Sequence, residues 1–260
     1  MAPRQCRDPH AITTTRRQER RRMPQAPTQR DRPVILLTGF GPFPGVPANA
    51  TTILVPRIAD AARRSLPGAA IVDRILPTEW SAGLDLCGDL YRSLKPELVV
   101  HFGVSGRATG FEIETRGRNR CNASQDAAGQ LPPLDRLSPI GPEFLPSPLP
   151  AAHIVERLRR RGIPAMISRD AGGYLCNALL YRGLDTMRRT PDAPRVGFVH
   201  LPSSLVNERN PARGPLPSCR LRWDEVIAGG LEIIGACLGR PAMPLATLPR
   251  RLAYGSGGDR

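Results

Sequence analysis

The sequence predicts an α/β fold, a single-domain three-layer α/β/α sandwich built on a mostly parallel, doubly wound sheet. Three observations predict it. Short apolar runs bounded by turn residues alternate along the chain with segments of helical spacing, which is the order that lays helices on both faces of a parallel sheet. The alternation continues from residue 33 to about 240 of the 260, a length that one sizeable core suits. The runs that read as strands are rich in Val, Ile and Leu, whereas proline and glycine gather between them.

Taken in order, a strand is expected near 33–38 in VILLT, followed by the glycine-rich turn GFGPF, then a helix over 52–65 and a strand over 69–76. A helix over 80–94 leads to a strand over 97–103, ELVVHFG. FEIETRGRN at 111–119 alternates apolar and polar residues and reads as a half-exposed strand with Glu112 and Glu114 on its polar side. The long proline-rich stretch from Cys121 to Pro150 reads as a flap near the cleft or a plain surface connection. A helix over 150–161 and the short apolar run IPAMIS at 163–168, expected as a buried strand, come next. A helix over 174–189, a strand over 195–200 and a helix over 223–238 complete the domain at 33–240. Residues 1–32 read as a disordered Arg-rich extension and 241–260 as a tail.

The formal charge of +14 raises the question of nucleic acid. Residues 1–32 hold nine arginines against Asp8, Glu19 and Asp31, giving +6 and leaving +8 for the rest. Lys95 is the only lysine, so the arginine bias is global, and 5% aromatic residues leave little for base stacking. The extension therefore reads as a solvated segment, and no nucleic-acid partner is expected. It lacks an apolar signal core, and no run approaches the roughly 20 apolar residues that span a bilayer, so a cytoplasmic protein with no membrane partner is expected. Met23 offers a second start for translation. Six cysteines lie at 6, 87, 121, 176, 219 and 237 without CxxC or Cys/His zinc spacing. Free thiols, no metal and no cofactor are expected, with Cys87, Cys237 and His101 as core residues.

DAGGYLCN at 170–177 and RVGFVHLP at 195–202 carry the chemistry. Asp170, Gly172 and Gly173 make a tight strand-to-helix turn, which sets Cys176 in the first turn of a helix. Unpaired N–H groups and the helix dipole stabilise a thiolate there, and the same N–H groups suit an oxyanion. An inert buried cysteine is the plain alternative. His200 closes a β-branched run just before Pro202, hence at a strand's end. In an open parallel sheet, strand C-termini and helix N-termini meet at one edge, so the thiol and imidazole face one cleft if their strands are neighbours. A third group to orient the imidazole is sought in FEIETRGRN, where spacing leaves Glu112 and Glu114 both open.

Four blocks, LLTGFGPFPGVPANAT at 36–51, VVHFGVSGRATGFEIETRGRN at 99–119, SRDAGGYLCN at 168–177 and RVGFVHLP at 195–202, resemble the pyroglutamyl-peptidase I, or pyrrolidone-carboxylate peptidase, family of cytosolic cysteine peptidases. The resemblance runs from about Val34 to about Gly239 and implies a nucleophile at Cys176, a histidine at His200, 24 residues on, and a glutamate at Glu114, five positions before Asn119. It implies removal of an N-terminal pyroglutamyl group from small peptides, with Phe40 and Phe43 walling the ring pocket and Val104 and Asn49 beside the substrate. Asn119, Asp170 and Gly172 would give structural support, and self-association into a homo-oligomer is expected. The two phenylalanines also suit plain core packing.

Two departures stand out. Val104 occupies the place of the family's usual glutamine in HFGVSGR, removing an amide worth about 1 kcal/mol in a neutral hydrogen bond. RCNASQDAAG at 120–129 lacks the Asp-Ala-Arg segment common in relatives. Two rival readings follow, a thiol hydrolase of another small amide and a binding protein without turnover.

Overall fold

The structure is a computed structural model and describes residues 32–242. The extension expected over 1–32 and the tail expected over 241–260 lie, except for their inner ends, outside the described residues.

The chain alternates as its pattern dictates. β1 (Val34–Phe40), α1 (Thr51–Ser65), β2 (Ala70–Leu76), α2 (Trp80–Leu94) and β3 (Leu98–Ser105) form the first half. β4 (Phe111–Glu114), β5 (Arg116–Arg118), β6 (Phe144–Pro146), α3 (Ala151–Arg160) and β7 (Ala165–Ser168) follow. α4 (Leu175–Arg189), β8 (Arg195–Pro202) and α5 (Trp223–Cys237) complete it. The main sheet has the order β2-β1-β3-β8-β4-β7. β2, β1, β3 and β8 are parallel, whereas β4 pairs antiparallel with β8 and parallel with β7.

The central strands β1, β3 and β8 feed two cores, because successive side chains point to opposite faces. Ile35, Leu37, Val100, Phe111 and Val199 pack with Leu54, Ile58, Leu158 and Ile233, on the side of α1, α3 and α5. Leu36, Val99 and Phe198 pack with Cys87, Leu90, Leu179 and Leu180, on the side of α2 and α4. Truncating a fully buried Leu of this kind costs about 2–5 kcal/mol. The three layers thus follow from strands that are apolar on both faces.

Three expectations need correction. The single strand over 111–119 is two, since the chain leaves the main sheet at Thr115 and β5 pairs instead with β6 in a separate ribbon. In that ribbon Gly117 lies so near Tyr181 that an added Cβ would be 2.9 Å from its backbone. Glu114 is not on a solvated face but fully buried. IPAMIS is an edge strand, with Met166 47% and Ile167 43% exposed, because nothing pairs beyond β7. Cys87, Cys237 and His101 are buried as expected, His101 bonding Thr38 Oγ1 through Nδ1 (2.6 Å) and Tyr91 Oη through Nε2 (2.9 Å).

Candidate active site

The turn before α4 is shaped by two residues. Asp170 Oδ1 accepts the Gly172 N–H at 3.0 Å, and Gly172 takes φ +80°, a conformation that costs glycine nothing. Tyr174 then enters α4 extended and no side chain caps the helix, so Cys176 is its second residue. The first helical N–H to find a carbonyl is that of Ala178, bonded to Tyr174 O at 3.1 Å. Those of Leu175, Cys176 and Asn177 lie before it and have no partner within the helix, which makes this end a ready anion site. Asn177 fixes the helix start: its Oδ1 accepts the Arg118 N–H, and its Nδ2 donates to Arg118 O and Arg120 O, at 2.8–2.9 Å.

The thiol rests over the sheet at Gly103. A Cβ there would lie 3.0 Å from Cys176 Sγ and 2.7 Å from Phe198 Cζ, so only glycine lets the helix end approach this closely. Gly103 is in register with His200 on β8, and His200 in turn with Glu112 on β4. Thiol, imidazole and carboxylate therefore stand in one row across three adjacent strands.

His200 is 6% exposed, its ring 4.8 Å from that of Phe198. Its Nδ1 donates to Glu114 Oε1 at 2.8 Å, and the Glu114 Oε2 atom is buried with no hydrogen bond to a described residue. Burial pushes the imidazole pKa down, but the charge and hydrogen bond of Cys176 and the carboxylate of Glu114 outweigh it and raise it to about 10. Such an imidazolium keeps its proton through neutral pH. Glu112 is half-buried; burial raises its pKa, with the Glu114 charge adding to that and His200 and Arg107 opposing it. Glu112, Glu114 and His200 bring donor atoms within 4.8 Å of one another. Because His200 Nδ1 and Glu114 already bind each other, that trio is arranged as a hydrogen-bonded base rather than as a set of free metal ligands.

A cleft of about 380 Å³ opens over this row, lined by Phe43, Val104, Glu112, Tyr174, Cys176 and His200 among others. That volume suits a small ligand. A larger groove of about 540 Å³ beside α3 and β7 is lined by Val155, Arg159 and Ile167 and holds no nucleophile with a base, so chemistry rather than size singles out the first.

Of the residues expected at the substrate, Phe43 and Val104 line the cleft; Asp170 and Gly172, expected as structural support, line it as well. Phe40 does not: it is 2% exposed beneath the cleft, its ring 6.3 Å from Phe198. Asn49 is also withdrawn from the lining. Its Nδ2 donates to Gly41 O (3.1 Å) and its Oδ1 accepts from Thr51 N (3.1 Å) and Oγ1 (2.8 Å), which brackets the GFGPF turn. Asn119 holds the segment after Cys121, donating to Ser138 O (2.8 Å) and Gly141 O (3.1 Å) and accepting from Ser138 N (2.8 Å).

Sequence reasoning missed Tyr174, Gly103 and Asp126. The Tyr174 ring packs between Phe43 (5.7 Å) and Trp80 (5.1 Å) and completes the aromatic wall. Its place directly before LCN was the available signal. Asp126 pins the 121–150 stretch to that wall: its carboxylate accepts the N–H groups of Trp80, Ala128 and Gln130 at 2.8–2.9 Å, while Trp80 Nε1 donates to Ser124 O at 2.9 Å.

The family model described as pyroglutamyl peptidase matches residues 34–229. A pyrrolidone-carboxylate peptidase of Thermococcus onnurineus is 30% identical over 201 residues, covering 77% of this chain and 96% of its own. One from Oceanobacillus iheyensis is 31% identical over 170 residues, 65% of this chain and 84% of its own. Among solved structures, the pyroglutamyl peptidase I of Bacillus amyloliquefaciens superposes with TM-score 0.68 at 28% identity, covering 79% of this chain and 97% of its own. A mutant pyrrolidone carboxyl peptidase of Pyrococcus furiosus gives 0.69 at 25% identity over 79% of this chain and 98% of its own. With matched relatives, a shared fold and a thiol–imidazole–carboxylate row at the sheet's edge, the chain belongs to the pyroglutamyl peptidase family.

Proposed function

We propose that the protein is a cysteine peptidase that removes an N-terminal pyroglutamyl group from peptides, with Cys176 as nucleophile, His200 as acid and base, and Glu114 as the group that orients His200. The observation that carries this reading is that Cys176 and a His200 held by Glu114 at 2.8 Å open on a cleft with Phe43, Val46, Val104 and Tyr174 among its walls. A flat, uncharged lactam suits such walls.

In the proposed cycle the Cys176 thiolate attacks the acyl carbonyl of the pyroglutamyl residue, and a carbon–sulfur bond forms. The oxygen gains negative charge beside the first-turn N–H groups of α4, which need no reorganisation to receive it. As the carbon–nitrogen bond breaks, the imidazolium gives its Nε2 proton to the departing amine. A water then loses a proton to the neutral imidazole and attacks the thioester, releasing pyroglutamate and restoring the thiolate. Throughout, the Glu114 carboxylate fixes the tautomer and steadies the charged ring. Among the described residues no helix is long and apolar enough to cross a membrane. A reducing cytoplasm, which keeps thiols free, is the compartment this chemistry suits.

Steady-state kinetics with pyroglutamyl and prolyl versions of one chromogenic reporter tests catalysis and ring recognition together. Turnover of the pyroglutamyl reporter at least about tenfold more efficient, a difference of roughly 1.4 kcal/mol, is the expected result. Equal turnover of both would favour a hydrolase of some other small amide, the reading that Val104 motivates. No turnover of either would favour the binding protein.

A further inference from the structure

The cleft continues past the imidazole to a carboxylate that the proposed cycle does not use. Glu112 is half-buried, lines the cleft with Cys176 and His200, and its carboxylate forms no hydrogen bond to another described residue. Its place in the row gives the cleft a direction. Phe43 follows β1 and Val104 lies one residue before the end of β3, so the aromatic wall stands on the β1 and β3 side of the thiol, which itself lies over Gly103 of β3. The imidazole comes next, over β8, and Glu112 beyond it, over β4 and directly opposite His200.

An acyl group seated against the aromatic wall, with its carbonyl at Cys176, sends its leaving nitrogen toward the imidazole that protonates it. The departing peptide therefore passes Glu112. We infer that Glu112 is the binding residue for the first residue of the departing peptide and selects substrates whose residue after pyroglutamate is basic; this rests on the pyroglutamyl reading above. A carboxylate at this point attracts a lysine or arginine side chain and repels an aspartate or glutamate. It also favours the released amine, which is neutral on leaving with the His200 proton and becomes an ammonium by taking a further proton from water.

Other charges face the same space. Asp170 at the rim adds to the preference, and Arg107 at the rim opposes it. Arg107 and Asp170 are both exposed and screened by water, whereas Glu112 is half-buried beside the reacting imidazole, so its charge acts through a lower dielectric and governs the sign. Glu114, deeper and bonded to His200, is spent on the ring.

The test compares kcat/KM for C-terminally amidated pyroglutamyl-lysine, pyroglutamyl-alanine and pyroglutamyl-glutamate at about pH 8, for the wild type, Glu112→Gln and Glu112→Asp. The wild type is expected to favour lysine over glutamate by about tenfold or more, and the preference set by a half-buried carboxylate is expected to persist at about 0.5 M salt, which screens the exposed Arg107 and Asp170. Glu112→Gln brings the ratio within about threefold, and Glu112→Asp restores its direction. A wild-type ratio near one overturns the assignment of Glu112 while leaving the pyroglutamyl reading intact, as does a tenfold ratio that survives in Glu112→Gln or that vanishes at high salt. Failure of all three dipeptides to turn over overturns the pyroglutamyl reading, and this inference with it. The wild-type ratio and its salt dependence decide the matter even if Glu112→Gln fails to fold.

Discussion

Replacing Glu114 with Gln keeps the shape of the group that holds His200 Nδ1 at 2.8 Å and removes its charge. The site is fully buried, so solvent does not replace what is lost. A hydrogen bond to a charged partner is worth about 1.5–3 kcal/mol, or roughly 1–2 pK units at 1.36 kcal/mol each. His200, raised to about 10 by Cys176 and Glu114 together, should then titrate one to two units lower in the variant. The alkaline limb of kcat/KM moves down by the same amount. Because Glu114 steadies the imidazolium and does not touch substrate, kcat/KM at neutral pH falls roughly 10–150-fold with KM little changed. The assay is release of a chromophore from a pyroglutamyl reporter between about pH 6 and 10. Stability carries the same sign. The paired imidazolium stabilises the fold fully below its ordinary pKa of 6.5 and ceases to do so as pH rises through about 10, so Glu114→Gln narrows that window from the alkaline side. Activity within twofold of wild type with an unmoved limb would refute the role given to Glu114, and leave Glu112 or no third member at all.

Gly103→Ala should drive a methyl into Cys176 Sγ and Phe198, costing about 1–3 kcal/mol in thermal unfolding and a larger share of kcat than of stability; a fully active variant would show that the thiol does not need this approach. Glu232→Ala strips the carboxylate shared by Arg157 (2.7 Å) and Arg161 (2.6 Å) between α3 and α5, all buried. Leaving such cations uncompensated costs about 3–5 kcal/mol, read as a lowered Tm, and an unchanged Tm would contradict it. Asp126→Ala removes the acceptor of three N–H groups and should cost about 1–2 kcal/mol and speed proteolytic nicking over 121–131. In the wild type, burial opposes those bonds but the bonds win, lowering the Asp126 pKa; this contribution is therefore lost only as pH falls through that depressed value.

The parts of the fold written in local pattern were legible. Helices over 80–94 and 174–189, and strands such as VILLT, carry their periodicity and their breakers within a few residues. What depended on distant neighbours was not. That FEIETRGRN splits goes with its second half pairing to β6, about 30 positions on, and that IPAMIS is an edge follows from strand order alone. Spacing left Glu112 and Glu114 both open because alternation marks which side a residue faces, not which of two neighbours on that side a distant imidazole will hold; His200 binds Glu114. Phe40 and Phe43 look equivalent in sequence. β1 runs through Phe40 and buries its ring under Phe198, whereas Phe43 has left the strand and faces the cleft. The proximity of the thiol and imidazole was inferable from topology, since helix starts and strand ends share one edge. The glycine beneath the thiol was not, because its reason is the space it leaves empty.

The central claim is that one sulfur performs the chemistry. Cys176→Ala should lower turnover of a pyroglutamyl reporter by at least about a thousandfold while its circular dichroism matches the wild type. Turnover at a rate near wild type by a correctly folded Cys176→Ala protein would contradict the account at its root.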